Sequence, residues 1–484
     1  MHETLDVWLQ GQFAGQLHRG EGGLVEFVYD ASYAANPATT PLSLSMPKAA
    51  LGHGPRVAQP WVENLLPEEQ ATRQAWARHF GETQTDAFTL LRHMGIDAPG
   101  AVQVVEQGRV PSNVGEYREL SQADIADRLR SIQGAGRAWT PGAGEGSRFS
   151  LAGQQAKFAL TKVGDVWVEP FGGHASTHIV KPGMQGASGT GFDDQATEFA
   201  TMRAAKHLGL PVASVAIESF GGVPAFTAKR YDRATGSAGE VLRVHQEDLC
   251  QALGIPAAQK YQSDGGPGVA QVAEAIRGGS SKPGEDVESF AKVLAFNYLV
   301  AGIDGHGKNY SLLMAGSAVR LAPFYDLISA HGIWEPERVA FDARMAMKYG
   351  REYRLRKIDG RNLVRTADDL GMDRAAFLDI VTSVAKGLPE AMSLALEELP
   401  ELQVSARVRE LPEAVAGAGE AIERSLHATD LDVSGESYSP RSARAVGAQP
   451  SFGRAVGAGD VWVPGHHEGG KWVSGHYRSR PRSR

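Results

Sequence analysis

Asp304, His306, Lys308 and Asn309 stand within six residues of one another in "GIDGHGKNYSLL", Gly302 to Leu313. A second carboxylate, Asp326, follows in "APFYDLI", 17 residues past Asn309. A loop that only had to turn could do so with Gly and Asn. This one carries groups that do chemistry. A positioned Asp can accept a proton from a hydroxyl. A carboxamide and a second carboxylate offer hard oxygens to Mg²⁺. That ion keeps several waters and shares phosphate oxygens, so one Asp plus one Asn is a sufficient protein set. His306 is read as a loop histidine that orients Asp304 through a hydrogen bond, in preference to a proton shuttle. The set lies between an apolar helix, "FAKVLAFNYLVA", and an apolar strand that ends at Asp326.

The Asp-x₄-Asn offset is that of the protein-kinase catalytic loop, in which the Asp serves the substrate hydroxyl and the Asn holds Mg²⁺. The pair alone is weak evidence; the remaining parts must appear in order. A strand lysine for the α/β-phosphates is Lys181 in "STHIVKP", and a helix glutamate to pair with it is Glu198, 17 residues on. A Gly/Ser loop to cradle phosphates is "SRFSLAGQQAK", with Ala152, Gly153, Gln154, Gln155, Ala156 and Lys157 as its contacts. A hinge strand to meet adenine is "TAKRYD", with Lys229, Arg230 and Tyr231. His306 and Lys308 complete the nucleotide contacts.

The elements that must hold these residues are legible in outline. With 484 residues, 42% apolar and 22% charged, the chain has material for two or three domains. Its net charge of −7 excludes a general nucleic-acid footprint. A single cysteine, Cys250, excludes an internal disulfide framework and suits a reducing compartment; it reads as a buried helix residue. The opening "MHETLDVWLQ" shows no secretory pattern, and no stretch approaches the roughly 20 apolar residues of a membrane span. The expected location is the bacterial cytoplasm.

Residues 1–110 read as a small α+β unit. "LDVWLQGQFAGQL" alternates and turns at Gly11; "GLVEFVYD" and "GAVQVVEQG" are strands; "WVENLLPEEQATRQAWARHFG" and "DAFTLLRHMG" are helices. Residues 111–244 read as a small β-rich lobe. It has a helix capped by Ser121, hairpins at Gly164-Asp165 and Gly221-Gly222, and an amphipathic helix stopped by Gly209. Residues 245–431 read as an all-helical C-lobe. Residues 432–484 are rich in Gly, Ser, Pro and Arg, and 441–484 hold eight Lys/Arg against two Asp/Glu, so they are expected to be a disordered basic tail.

The segments "ENLLPEE", "SLAGQQAKFAL", "STHIVKP", "AKRYDR", "HQEDLCQALG", "DGHGKN" and "PFYDLISA" resemble the HipA family of serine/threonine toxin kinases, and they span most of residues 1 to about 370. The resemblance implies an α+β, protein-kinase-like fold with an extra N-terminal α+β subdomain. It implies Asp304 as catalytic base, Asn309 and Asp326 as Mg²⁺ ligands, Lys181 on ATP, and Ser150 as a self-phosphorylation site that expels the glycine loop. Lys229 stands where the family usually has an acidic hinge residue. The implied activity is phosphoryl transfer from ATP to a serine of a host translation protein, such as an aminoacyl-tRNA synthetase, with growth arrest. The implied partner is a helix-turn-helix antitoxin, through which operator DNA is met. The rival readings are a small-molecule phosphotransferase and a catalytically weak co-repressor.

Overall fold

The computed structural model describes residues 3–111, 116–135, 155–183, 192–237, 239–401 and 403–428, together with four short strands near the C-terminus. The first hairpin, Glu3–Leu9 with Gln12–Arg19, turns through Gln10 (φ 52°) and Gly11 (φ 76°). Two successive positive φ values match the twist of the flanking strands. The hairpin is the middle of a five-stranded antiparallel sheet, in the order Gly52–His53, Val25–Tyr29, Gln12–Arg19, Glu3–Leu9, Val102–Glu106. Three helices, Pro55–Glu63, Gln70–His79 and Ala87–Met94, accompany it. Phe27, Trp61, Trp76 and Phe88 are fully buried in this subdomain's core, each worth about 1.5–3 kcal/mol of transfer free energy. The run from Trp61 to Gly81, expected as one helix, is two. Pro67 lies in the break, where it has no N–H to donate and disfavours helix at the residue before it.

The small lobe is a six-stranded antiparallel sheet. Its order is Val215–Phe220, Val223–Lys229, His178–Pro182, Phe158–Val163, Val166–Pro170, Tyr117–Glu119. The helix Asp193–His207 begins with two aspartates and ends with Lys206 and His207, matching its dipole. It stops where Gly209 takes φ 76°.

The C-lobe is mainly helical. Pro283–Leu299 leads into the Asp304 loop, and Arg374–Glu397 packs against both it and Asp193–His207. The all-helical expectation needs correction. His245–Asp248, Ser311–Ala315 and Ala318–Leu321 form a three-stranded antiparallel sheet, and Arg344–Tyr349 pairs with Glu352–Arg354. The strand His245–Asp248 is short and polar, so its conformation is set by a partner far along the chain and not by a local pattern. Asp326 is not at the end of a ladder strand either. Phe324 makes one isolated bridge with Val212, and Asp326 itself sits at φ 54°. In the tail, expected to lack regular structure, Asp460–Val463 pairs with His476–Ser479 and His466–Glu468 with Lys471–Val473. The repeated Trp-Val pairs bring β-formers to this stretch. Among the described residues no helix is long and apolar enough to cross a membrane.

Candidate active site

The register of the small-lobe sheet sets Lys181 opposite Phe226. There its buried Nζ donates to Glu198 Oε1 at 2.7 Å and to Asp326 Oδ1. Strand, helix and post-catalytic loop thus meet at one cation. Burial alone would strip Lys181 of its proton, but Asp326 and Glu198 hold its pKa well above the ordinary range. Burial would also raise Asp326, yet Lys181 and Lys157 keep it well below the carboxylate range. Glu198 carries the cost: burial raises its pKa to about 7 against the pull of Lys181, and neighbouring Asp326 adds to the rise. Half-buried Lys157 lies in the same field, its pKa lowered by burial to about 8 while Asp326 opposes the fall. The positive φ of Asp326 is a sparsely populated conformation of a kind found at functional sites.

The catalytic-loop candidate is tied down residue by residue. The loop starts from a second strained position, Ala301 at φ 51°. A Cβ on Gly302 would lie 2.7 Å from Asn297 Oδ1, and one on Gly307 2.7 Å from Pro267 and 2.9 Å from the sulfur of Cys250. These glycines therefore permit close packing that a side chain would block, with buried Cys250 against Gly307. Asn309 Nδ2 donates to Asp304 O at 2.9 Å, which fixes the carboxamide plane and leaves its oxygen for a cation. The cleft beside them is lined by Asn297, Asp304, Gly305, Asn309 and Asp326. A larger concavity at Arg118, Asp124 and Arg128 shares none of these residues.

Asp304 is half exposed at the cleft mouth, and burial of the surrounding wall raises its pKa. The hydrogen bond that orients it comes from Tyr261, whose hydroxyl donates to Oδ1 at 2.5 Å. His306 does not supply that bond, contrary to expectation. Its Nε2 is 4.0 Å from Asp304 Oδ1, and burial lowers its pKa to about 3, so the ring is neutral. It packs edge-on against Tyr261 instead. The Tyr261 contact was invisible in the sequence: "AAQKYQSD" carries no motif, and the residue lies 43 positions before its partner.

Two expected nucleotide contacts are placed elsewhere. Lys308 Nζ donates to Asn64 Oδ1 at 2.6 Å, Asn64 O at 3.2 Å and Asp248 Oδ2 at 3.0 Å. Two of these bonds fasten the loop to Asn64 of the N-terminal subdomain, and the third ties it to Asp248 of the C-lobe sheet. Arg230 donates to Asp232, to Ser176 Oγ and to Ala98 O. It belongs to a buried cluster in which Arg230, Arg233 and Arg243 overcome burial and keep Asp97 strongly ionised. Lys229 is exposed on the hinge and Tyr231 is half buried, stacked on Tyr325 with ring centres 5.7 Å apart. Gln155 and Ala156 are half buried beside Lys157. Ser150, Ala152, Gly153 and Gln154 lie outside the described residues.

The donor set fits a hard cation. Asp326 is held ionised and the oxygen of Asn309 is oriented, while among the described residues no group of three His, Cys, Asp or Glu side chains forms a complete metal cage. An ion here would draw further ligands from phosphate and water.

Comparison with known proteins bears on the family and the fold. Residues 149–392 match the HipA-like C-terminal domain and residues 5–105 the HipA N-terminal domain. The chain is 33% identical to protein Y4mE of Sinorhizobium fredii over 426 residues, 87% of this chain and 99% of that one. It is 30% identical over 380 residues to the serine/threonine-protein kinase toxin HipA of Shewanella oneidensis, 75% of this chain and 82% of that one. HipA in the Shewanella oneidensis complex of HipA, HipB and operator DNA superposes with a TM-score of 0.75 at 26% identity, covering 88% of this chain and 98% of that one. On these grounds, with a protein-kinase-like α+β fold and both family domains present, the chain belongs to the HipA family of serine/threonine-kinase toxins.

Proposed function

We propose that the protein is an ATP- and Mg²⁺-dependent serine/threonine protein kinase, the toxin half of a toxin–antitoxin pair. The observation that carries this reading is the convergence of Lys181, Glu198 and Asp326 in one buried ion cluster, next to a loop that presents Asp304 and Asn309. Lys181 is positioned to meet phosphate oxygens, with Glu198 holding its side chain. Asn309 and Asp326 would hold the ion, which screens phosphate charge when bound. Asp304, its pKa raised by its surroundings, accepts the hydroxyl proton of the acceptor serine. Its partner would be a HipB-like antitoxin with a helix-turn-helix, through which the complex meets operator DNA. The acceptor would be a host translation protein, such as an aminoacyl-tRNA synthetase.

Ser150 is proposed as the self-phosphorylation site. A phosphoserine adds about −1.5 to −2 charges, which the triphosphate would repel. The test uses purified full-length protein with Mg²⁺·ATP, intact-mass spectrometry, and a host lysate as acceptor. Wild type gains one phosphate, lost in Ser150→Ala, and labels lysate protein on serine; Asp304→Asn does neither. Transfer to a small molecule with none to protein would refute the reading.

A further inference from the structure

Asn309 and Asp326, the two proposed ligands of the ion, come from different stretches of chain, yet they line one cleft. Mg²⁺ asks for near-octahedral geometry with oxygens at about 2.0–2.1 Å. Two oxygens from separate segments meet that demand only when their backbones are held at a fixed spacing. The side chain of Tyr325 ties the two segments together.

The Tyr325 hydroxyl donates to Lys308 O at 2.6 Å. Asn309 follows Lys308, and Asp326 follows Tyr325. Each ligand therefore stands one peptide, about 3.8 Å between Cα atoms, from a residue at an end of this bond. A carbonyl oxygen can only accept, so the single phenolic proton is committed to Lys308. The Tyr325 oxygen then accepts from Ser311 Oγ at 2.6 Å. Burial, with Tyr231 nearby, raises the Tyr325 pKa well above the ordinary value, so the hydroxyl keeps its proton throughout the working range.

The ring is fixed as well as the hydroxyl. It stacks on Tyr231 with ring centres 5.7 Å apart and planes inclined by 29°, and the Tyr231 hydroxyl in turn donates to Gln246 Oε1. Buried Ser311 pairs in register with Asp248, which accepts from Lys308 Nζ at 3.0 Å. Lys308 is thus held at its amine by Asn64 and Asp248 and at its carbonyl by Tyr325. On the other segment, Phe324 N donates to Pro211 O and Phe324 O accepts from Ala213 N, each at 2.8 Å. Asp326 then takes its positive φ, and Lys181 reaches its carboxylate. These contacts tie Asp326 to the small lobe, while the Tyr325 bond ties it to the loop of Asn309.

We infer that Tyr325 is a positioning residue for the metal pair: by holding Lys308 O, its hydroxyl sets the spacing of the Asn309 and Asp326 oxygens and so favours Mg²⁺ over a larger cation such as Ca²⁺. The inference deepens the kinase reading and rests on it. Ca²⁺ takes about six to eight oxygens at roughly 2.3–2.6 Å in flexible geometry, so a loosened pair loses Mg²⁺ first.

The test measures binding, not turnover. A fluorescent, non-hydrolysable ATP analogue is titrated into full-length wild type and Tyr325→Phe, first without metal, then against Mg²⁺ and against Ca²⁺. Phenylalanine keeps a ring on Tyr231 and removes the hydroxyl alone. The variant should need roughly two- to tenfold more Mg²⁺ for half-saturation, the range for one lost hydrogen bond. The change for Ca²⁺ should be smaller, and metal-free nucleotide affinity should stay the same. Ser311→Ala, which removes the donor to the same oxygen, should shift the Mg²⁺ requirement in the same direction by less. It stands in as the test variant where Tyr325→Phe does not fold. In an Asn309→Ala background the loss of the hydroxyl should matter less than in wild type, because one member of the spaced pair is gone. An unchanged Mg²⁺ requirement in the folded variant overturns the inference and leaves the kinase reading standing. So does an equal loss for Mg²⁺ and Ca²⁺, or a fall in metal-free nucleotide affinity as large as the Mg²⁺ effect. A wild type that binds no nucleotide with either metal refutes the kinase reading, and the inference falls with it.

Discussion

Replacing Tyr261 with Phe should move the acid limb of the pH–rate profile to higher pH. The Tyr261 hydroxyl donates to Asp304 Oδ1 at 2.5 Å, so it favours the ionised carboxylate, the form proposed to act as base. Tyr261 itself titrates far above neutral, raised by burial and by Asp304, and remains a donor throughout the working range. A hydrogen bond to a charged group is worth about 1.5–3 kcal/mol when water cannot replace it. Here 49% of the Asp304 side chain is exposed, so water recovers about half. The net loss is about 0.7–1.5 kcal/mol, or roughly 0.5–1 pKa unit at 1.36 kcal/mol per unit. The sign follows from the donor: losing it destabilises the anion, the pKa rises, and a higher pH is needed to ionise the base. The measurement is kcat/KM for the acceptor from pH 5 to 8.5, because that ratio reports the free enzyme's ionisations. At the high-pH plateau the variant should match wild type within a few-fold. An acid limb that stays in place, or moves to lower pH, would show that Tyr261 does not hold the base.

Three further outcomes are expected. Asp326→Ala should weaken Mg²⁺-dependent nucleotide binding more than Asn309→Ala, since a carboxylate neutralises more of the ion's charge; titrating Mg²⁺ against a fluorescent nucleotide checks this. Lys181→Met should leave Glu198 and Asp326 as neighbouring buried carboxylates, with a loss approaching about 3–5 kcal/mol at pH 8 and less at pH 6. Glu198, already raised to about 7 by burial, then takes up a proton. The folded state binds more protons than the unfolded one above pH ~4.5, so stability falls as pH rises, and melting curves at the two pH values measure the difference. Asn64→Ala should remove the 2.6 Å acceptor of Lys308 and lower kcat by about 10- to 100-fold through loop misplacement, with a smaller change in the Kd for ATP, read by stopped-flow and equilibrium titration.

Much of this site could be read from residue order because its parts are local and chemically distinctive. Asp304 and Asn309 share one loop, Lys181 ends an apolar strand, and Glu198 sits on a helix with clear start and stop signals. What could not be read depends on distant pairing. His245–Asp248 becomes a strand because Ser311–Ala315 lies beside it, and the polar tetrapeptide has no alternation of its own to announce this. Lys308 and Arg230 have the charge expected of phosphate contacts. Sequence cannot show that Asn64, 244 residues earlier, and Asp232, two residues later, already hold them. The expected His306–Asp304 bond failed for a similar reason: proximity in sequence favoured histidine, while the chain's path brought tyrosine.

The N-terminal subdomain holds the candidate catalytic loop by the same physics. Besides Lys308–Asn64, Lys260 pairs with Glu68 at 2.8 Å, and Gly307 N donates to Lys260 O at 3.1 Å, so the loop is gripped from two sides. Glu247, buried and raised to about 8 by desolvation, accepts from Ser43 Oγ and from Leu44 N at 2.8 Å. Asp97 and Gly100 lock into the hinge through Arg233 and Asp232. Each of these groups is costly to bury alone. Separating the subdomain would strand cations and carboxylates on the catalytic lobe, including the lysine one residue before Asn309. A truncated protein beginning near residue 111 should therefore lose both stability and a correctly placed loop, even though every residue of the ion cluster and the catalytic loop remains in it.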